Sequence, residues 1–274
     1  MAVIRRRPVP LIDEDEKNHK KQRSEVDVEE EAIPDNDSDG ELVEHHQPIP
    51  VSPLPAALLD LPDDLITRIA SARQYQDPSH GVYYVTHVPD NLKFGGEHMF
   101  DMSNFLVRPD NYAVVVWIIG KVFTPHFVEE DGSWPAQPFI SFTPIFREDL
   151  RAATKVCNIY AKPKEVDVEI NPFGTIYAGR FQKRYKSEKP PSEFRGVYDA
   201  TSSMKKKAEM KLYDARKVKR DDIVLVELRV KKRFDPDDND VDKKDRPYRI
   251  SFQLDALNVL YVAPDRDEGV VYGF

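Results

Sequence analysis

The sequence predicts a mainly β fold, and three observations carry that expectation. Tyr112–Phe123, Ile223–Phe234 and Tyr248–Tyr261 are strand-sized runs dominated by β-branched and aromatic residues. Turn chemistry separates them, as in Glu129-Glu130-Asp131-Gly132-Ser133 and Asn171-Pro172-Phe173-Gly174. Helical periodicity is confined to short stretches.

Taken in chain order, residues 1–55 are poor in aromatics and rich in Glu, Asp and Pro. Such a segment buries too little apolar surface to offset its ordering entropy, so the reading is a disordered acidic arm followed by a single globular β-rich domain over 56–274. Ile49–Pro55 reads as an extended, polyproline-like linker. A helix is expected over Leu58–Ala72, with Pro62 in its first turn, carboxylates at its N-terminal end, and Leu61, Leu65, Ile66 and Ile69 at helical spacing. Val82–Val88 is expected as a strand. Tyr112–Phe123 is expected to be a buried strand, with Gly120 marking a bulge or bend. Phe139–Phe146 returns as a strand, Arg147–Tyr160 is helical, and Val166–Ile170 alternates. The Asn171–Gly174 turn precedes a strand over Thr175–Phe181. Residues 182–196 form a basic loop, and Ala200–Lys219 carries a mixed, partly helical pattern. Ile223–Phe234 and Tyr248–Tyr261 close as a hairpin over a charged loop.

This order of a long bent first strand, hairpins with extended loops, an intervening helix and a final long-loop hairpin resembles an OB-fold over about residues 105–263. A jelly roll or other β-sandwich gives a similar strand pattern, so an OB-like barrel and a sandwich both stand. Leu58–Ala72 (LLDLPDDLITRIASA) resembles the opening helix of an F-box, without the helices that should follow it.

Composition narrows the function. A single cysteine, Cys157, excludes internal disulfides and cysteine-based zinc sites, and reads as a buried small hydrophobe. No apolar run approaches the roughly 18 residues of a membrane span, and no secretory h-region follows Arg5-Arg6-Arg7, so the chain reads as soluble and intracellular with no membrane partner. No Gly-rich phosphate loop and no i, i+4 histidine pair is present. Asp237-Asp238-Asn239-Asp240 lacks the closing Glu of a calcium loop. The expectation is therefore no catalytic residue, no metal and no cofactor: not an enzyme.

Charge is segregated. The chain carries a net charge of −8, with 14 acids against 7 bases in residues 1–50 and 18 bases against 8 acids from Arg180 to Arg233. Within and around that basic stretch, cations alternate with rings: Tyr177, Arg180, Phe181, Lys183, Arg184, Tyr185, Lys186, Arg195, Tyr198, Lys205, Lys206, Lys207, Lys231, Lys232 and Arg233. With Trp117 and Phe123 they make the candidate contact surface for single-stranded DNA or RNA, where cations follow the phosphates and rings stack on bases. In the arm, Arg6 and Arg7 followed by Lys20, Lys21 and Arg23 resemble a bipartite nuclear localisation signal. The resemblance implies a nuclear import receptor as partner and the nucleus as location, with the cytoplasm as alternative. The competing functional class is a structural or adaptor protein, either a capsid-like β subunit or a module recruiting a protein partner through the acidic arm or helix 58–72.

Overall fold

The computed structural model describes residue 58 and residues 61–97, 101–165, 168, 171–183, 188–234 and 245–265. All of these fall in one unit, Ser52–Phe274. The acidic arm, its basic clusters and most of Val166–Ile170 lie outside the described residues.

Helix α1 (Asp63–Gln74) is followed by strands β1 (Gln76–Asp77) and β2 (Val82–Tyr84), the short pair β3 (Lys93–Phe94) and β4 (Leu106–Val107), then β5 (Val115–His126) and β6 (Phe139–Pro144). Helix α2 (Arg147–Tyr160) leads to β7 (Ile176–Gly179), β8 (Val197–Asp199), β9 (Ile223–Phe234) and β10 (Tyr248–Tyr261). No described helix is long and apolar enough to cross a membrane.

The fold is mainly β, built on an eight-stranded sheet. Five of its strands close on themselves: β5 pairs antiparallel with β6, β6 with β7, β10 with β9, and β9 with β5, while β7 and β10 run parallel. This ring is OB-like, one of the two architectures that the strand pattern allows. Its interior is filled by alternate residues of each strand, including Val116, Ile118, Ile140, Phe142, Ile176, Val226, Leu228 and Leu254, all fully buried. Gly120 pairs with Pro144 of β6 on one side and Val224 of β9 on the other. A Cβ there would lie 2.4 Å from a Phe142 ring carbon and 2.8 Å from the Thr143 carbonyl oxygen, so only glycine fits. The expected bulge falls two residues later, between Val122 and Thr124.

Three elements differ from expectation. Helix α1 starts at Asp63 rather than Leu58, with Pro62 as its N-cap. Proline disfavours helical geometry in the residue before it, so Leu61 stays outside the helix. Its apolar stripe, Leu65, Ile69 and Ala72, is buried in the protein's own core. The strand at Val82 ends at Tyr84, and Val85–His87 is a 3-10 turn. Tyr83, Tyr84 and Val85 are all buried. Between Ala200 and Lys219 there are only two 3-10 turns, Lys207–Glu209 and Ala215–Lys217. This lysine-rich stretch has no continuous apolar stripe to hold a helix against the sheet.

Helix α2 has the predicted limits and buries Ala153, Val156, Cys157 and Tyr160. Burial pushes the Cys157 thiol up to about 12. Because the thiolate is the reactive form, titration with a disulfide reagent at pH 8 is expected to show no fast-reacting thiol in the native protein and one per chain after denaturation. Fast native labelling would contradict the burial.

Candidate nucleic-acid interface

Strand alternation fixes which side chains leave the ring. On β6, Ile140 and Phe142 are fully buried, so Phe139 and Ser141 face outward. Register brings His126 of β5 opposite Phe139, and Phe139 opposite Gly179 of β7; Thr124, Ser141 and Tyr177 form the adjacent row. The three rings make a continuous ladder. His126 and Phe139 have centroids 4.8 Å apart and tilted 32°, and Phe139 and Tyr177 are 5.0 Å apart and tilted 33°. Gly179 makes the leaning possible, since a Cβ there would sit 3.3 Å from both the Phe139 Cβ and the Tyr177 hydroxyl. Tyr177 is 49% exposed and Phe181, just past the strand, is 70% exposed. Counted around the ring, β6 and β7 are the second and third strands, the pair over which OB-type barrels hold oligonucleotides.

Cations border this ladder on the β9–β10 side. Arg229 lies opposite Gln253, Lys231 opposite Ser251 and Arg233 opposite Arg249. The alternate positions on β9 include Leu228 and Val230, both fully buried and facing inward. Arg233 is exposed, and among the described residues no carboxylate pairs with it. Its charge is close enough to Tyr177 to oppose the upward push that burial gives the phenol. At the far end of the same face, Asp255 gathers Arg229 at 2.7 Å, Arg180 at 3.4 Å and Lys207 at 4.0 Å. Lys207 also pairs with buried Glu227 at 2.6 Å, whose other oxygen accepts from Asn258 Nδ2 at 2.9 Å. Three cations thus meet two carboxylates there, which leaves a positive excess held in fixed positions.

The predicted residues divide accordingly. Tyr177, Arg180, Phe181, Lys207, Lys231 and Arg233 belong to or border this face, and Lys183 is exposed beyond Phe181. Phe123 is also exposed, with the Arg220 guanidinium 4.8 Å from its ring centre. Trp117 does not present a free face. It is half-buried and stacked under Tyr75 with centroids 4.7 Å apart and planes within 14°. Lys232 faces the end of the ring interior, where its ammonium donates to the Ser103 carbonyl at 2.9 Å and sits 4.2 Å from the Phe94 ring centre. It is held by the fold and is not presented on the outer face. Arg195 is exposed and pairs with Glu193 at 3.1 Å, Tyr198 is half-buried on β8, and Lys205 and Lys206 are exposed beside the first 3-10 turn. Arg184, Tyr185, Lys186, Arg6, Arg7, Lys20, Lys21 and Arg23 lie outside the described residues.

Three contributors escape the sequence reading: His126, Phe139 and Arg229. The signal for two of them was present. The alternation Phe139-Ile140-Ser141-Phe142 places Phe139 opposite to two core residues, and Arg229 shares its parity with Lys231 and Arg233. His126 had no such mark, because the bulge at Val122/Thr124 shifts the phase of β5 before it.

No protein-family model and no curated protein matches the chain. Among solved structures, it is similar to gp2.5, a single-stranded DNA binding protein encoded by bacteriophage T7. The likeness has a TM-score of 0.32 and 11% identity, covering 60% of this chain and 98% of that one. At that level it adds no weight to the fold or to the function, which rest on the strand pairings and side chains above. Among the described residues, no group of three or more His, Cys, Asp or Glu side chains is placed to hold a metal ion.

Proposed function

We propose that this protein is a non-catalytic binder of single-stranded nucleic acid, with the outer face of β6, β7, β10 and β9 as its contact surface. The observation that carries the reading is the His126–Phe139–Tyr177 ladder lying beside Arg229, Lys231 and Arg233 on one face. The ladder, with Tyr177 exposed and His126 and Phe139 partly so, offers ring surface to bases of any sequence, and an adjoining row of cations serves the phosphates. A strand crossing from β6 toward β9 would meet rings first and charges second. Nuclear location through Arg6, Arg7, Lys20, Lys21 and Arg23 is part of the same proposal, tested by the distribution of a fluorescent fusion with and without those five positions neutralised.

The test of binding is fluorescence anisotropy with labelled oligo-dT at two salt concentrations. Saturable binding is expected. If about four phosphates are neutralised, log affinity should fall against log salt with a slope near −3, at about 0.7 per contact for single strands. Absence of saturable binding at 50 mM salt would end the proposal.

A further inference from the structure

Past Tyr177, on the side away from Phe139, the outer face opens into a pocket of about 660 Å³. It lies beyond the short β7–β10 pairing, between the paired ends of β9 and β10 and the segment that follows α2, and Tyr177 and Arg233 belong both to it and to the face. The volume falls within the roughly 300–1,000 Å³ typical of small-molecule sites. Two further rings, Phe234 and Tyr248, line it; they meet edge-on at 5.7 Å, and Tyr248 is braced from behind by Phe94 at 5.5 Å. Arg233 and Arg249 are opposite one another across β9 and β10 and both line the opening. The carboxylate in the lining, Glu165, is 3.6 Å from the Arg249 Nε, while the Arg249 side chain is 82% exposed. Among the described residues, the lining therefore sets aromatic rings beside two guanidinium groups and the Lys162 side chain, with one acid, Glu165, against Arg249.

The geometry points to a seat for a single nucleotide unit, its base against Tyr177 and its phosphate on Arg233 and Arg249, while Phe234 and Tyr248, which share the inward parity of Lys232, line the rim of the opening. Guanidinium groups match phosphate oxygens in a fork, and aromatic walls take a base by its faces without selecting its identity. A strand lying on the ring ladder would reach this seat directly, because Tyr177 forms both the last rung and the pocket wall. The inference rests on the proposed function and specifies where along the strand one nucleotide is held apart from its neighbours. The ligand chemistry is a base with a phosphate, supplied either by the end or an extruded unit of a strand, or by a free mononucleotide.

The test titrates the full chain with thymidine 5′-monophosphate, thymidine and inorganic phosphate by calorimetry, and with labelled oligo-dT by anisotropy. Arg249→Ala is run alongside; its side chain is exposed and makes no contact with the ring ladder. Saturable binding of the monophosphate is expected, weakened about tenfold by Arg249→Ala, with thymidine and phosphate alone each at least about tenfold weaker than the monophosphate. The oligonucleotide should lose about three- to tenfold in the variant if the seat takes a unit of the strand. No change in the oligonucleotide, with the monophosphate effect intact, assigns the seat to free nucleotides instead. Oligonucleotide binding without saturable monophosphate binding, and with a silent Arg249→Ala, overturns the pocket while leaving the stacking face standing. Failure of the oligonucleotide to bind the native chain at all removes the face, and the monophosphate titration then decides the pocket on its own.

Discussion

Tyr177→Ala is expected to weaken oligo-dT binding by about fivefold or more, and Phe139→Ala to do nearly the same. Each ring in contact with a base contributes roughly 1–3 kcal/mol by alanine substitution, and about 1.4 kcal/mol is a factor of ten. Tyr177 is the more important because it is half-exposed at the centre of the face and adjoins Arg233. Its phenol hydroxyl is not what stacking uses, so Tyr177→Phe should keep most of the affinity. Tyr112→Ala is the control, since Tyr112 is 56% exposed but sits under Arg108, ahead of the first ring strand. The two alanine variants remove side chains from the outside of the ring and should leave thermal stability little changed. Equal affinity for Tyr177→Ala, Phe139→Ala and Tyr112→Ala would mean that strands do not use this face.

The way the face was found shows what a sequence of this kind exposes and what it hides. The limits of α2, β9 and β10 follow from local pattern alone and agree residue for residue with the structure. The ring closure is less legible. It depends on β7 running parallel to β10, through the register of Ala178 with Phe252, while β8 is added to β10 through Val197 with Leu257. Nothing in a four-residue or three-residue strand specifies a partner that distant. For site residues, strand parity separates inside from outside but does not say what covers the outside. Trp117 has outward parity opposite Glu227, yet Tyr75, from the segment after α1, lies flat upon it. Lys232 is the opposite case. It shares parity with Val226, Leu228 and Val230, so the pattern already directed it inward, and grouping it with Lys231 and Arg233 followed the run of charge instead of the period of the strand.

The largest effect on stability is expected from Arg73→Ala, at about 3–5 kcal/mol measured by urea unfolding at pH 7, because it strands a buried carboxylate. Asp149, in the first turn of α2, is fully buried. Its oxygens accept from the Arg73 guanidinium at 3.2 Å and from the buried Tyr84 hydroxyl. Arg73 in turn lies 3.5 Å from the Phe146 ring centre, so one guanidinium ties α1 to α2 by charge and by stacking at once. Burial raises the Asp149 carboxyl above the usual carboxylate range, and the Arg73 charge and both hydrogen bonds pull against that rise. The sign of the pH dependence follows. A carboxyl with a raised folded-state pKa contributes its full share of stability below the unfolded value near 3.9, and that share is lost as pH climbs through the folded value. Removing Arg73 takes away a lowering influence, so the window extends upward and the penalty should be smaller at pH 5 than at pH 7. Replacing the group as a unit, Arg73→Met with Asp149→Leu and Tyr84→Phe, removes the buried charge together with its side-chain partners and should recover most of the loss. A cost below about 1 kcal/mol for Arg73→Ala, or a penalty that grows on acidification, would show that the Asp149 charge is satisfied by something other than this triad.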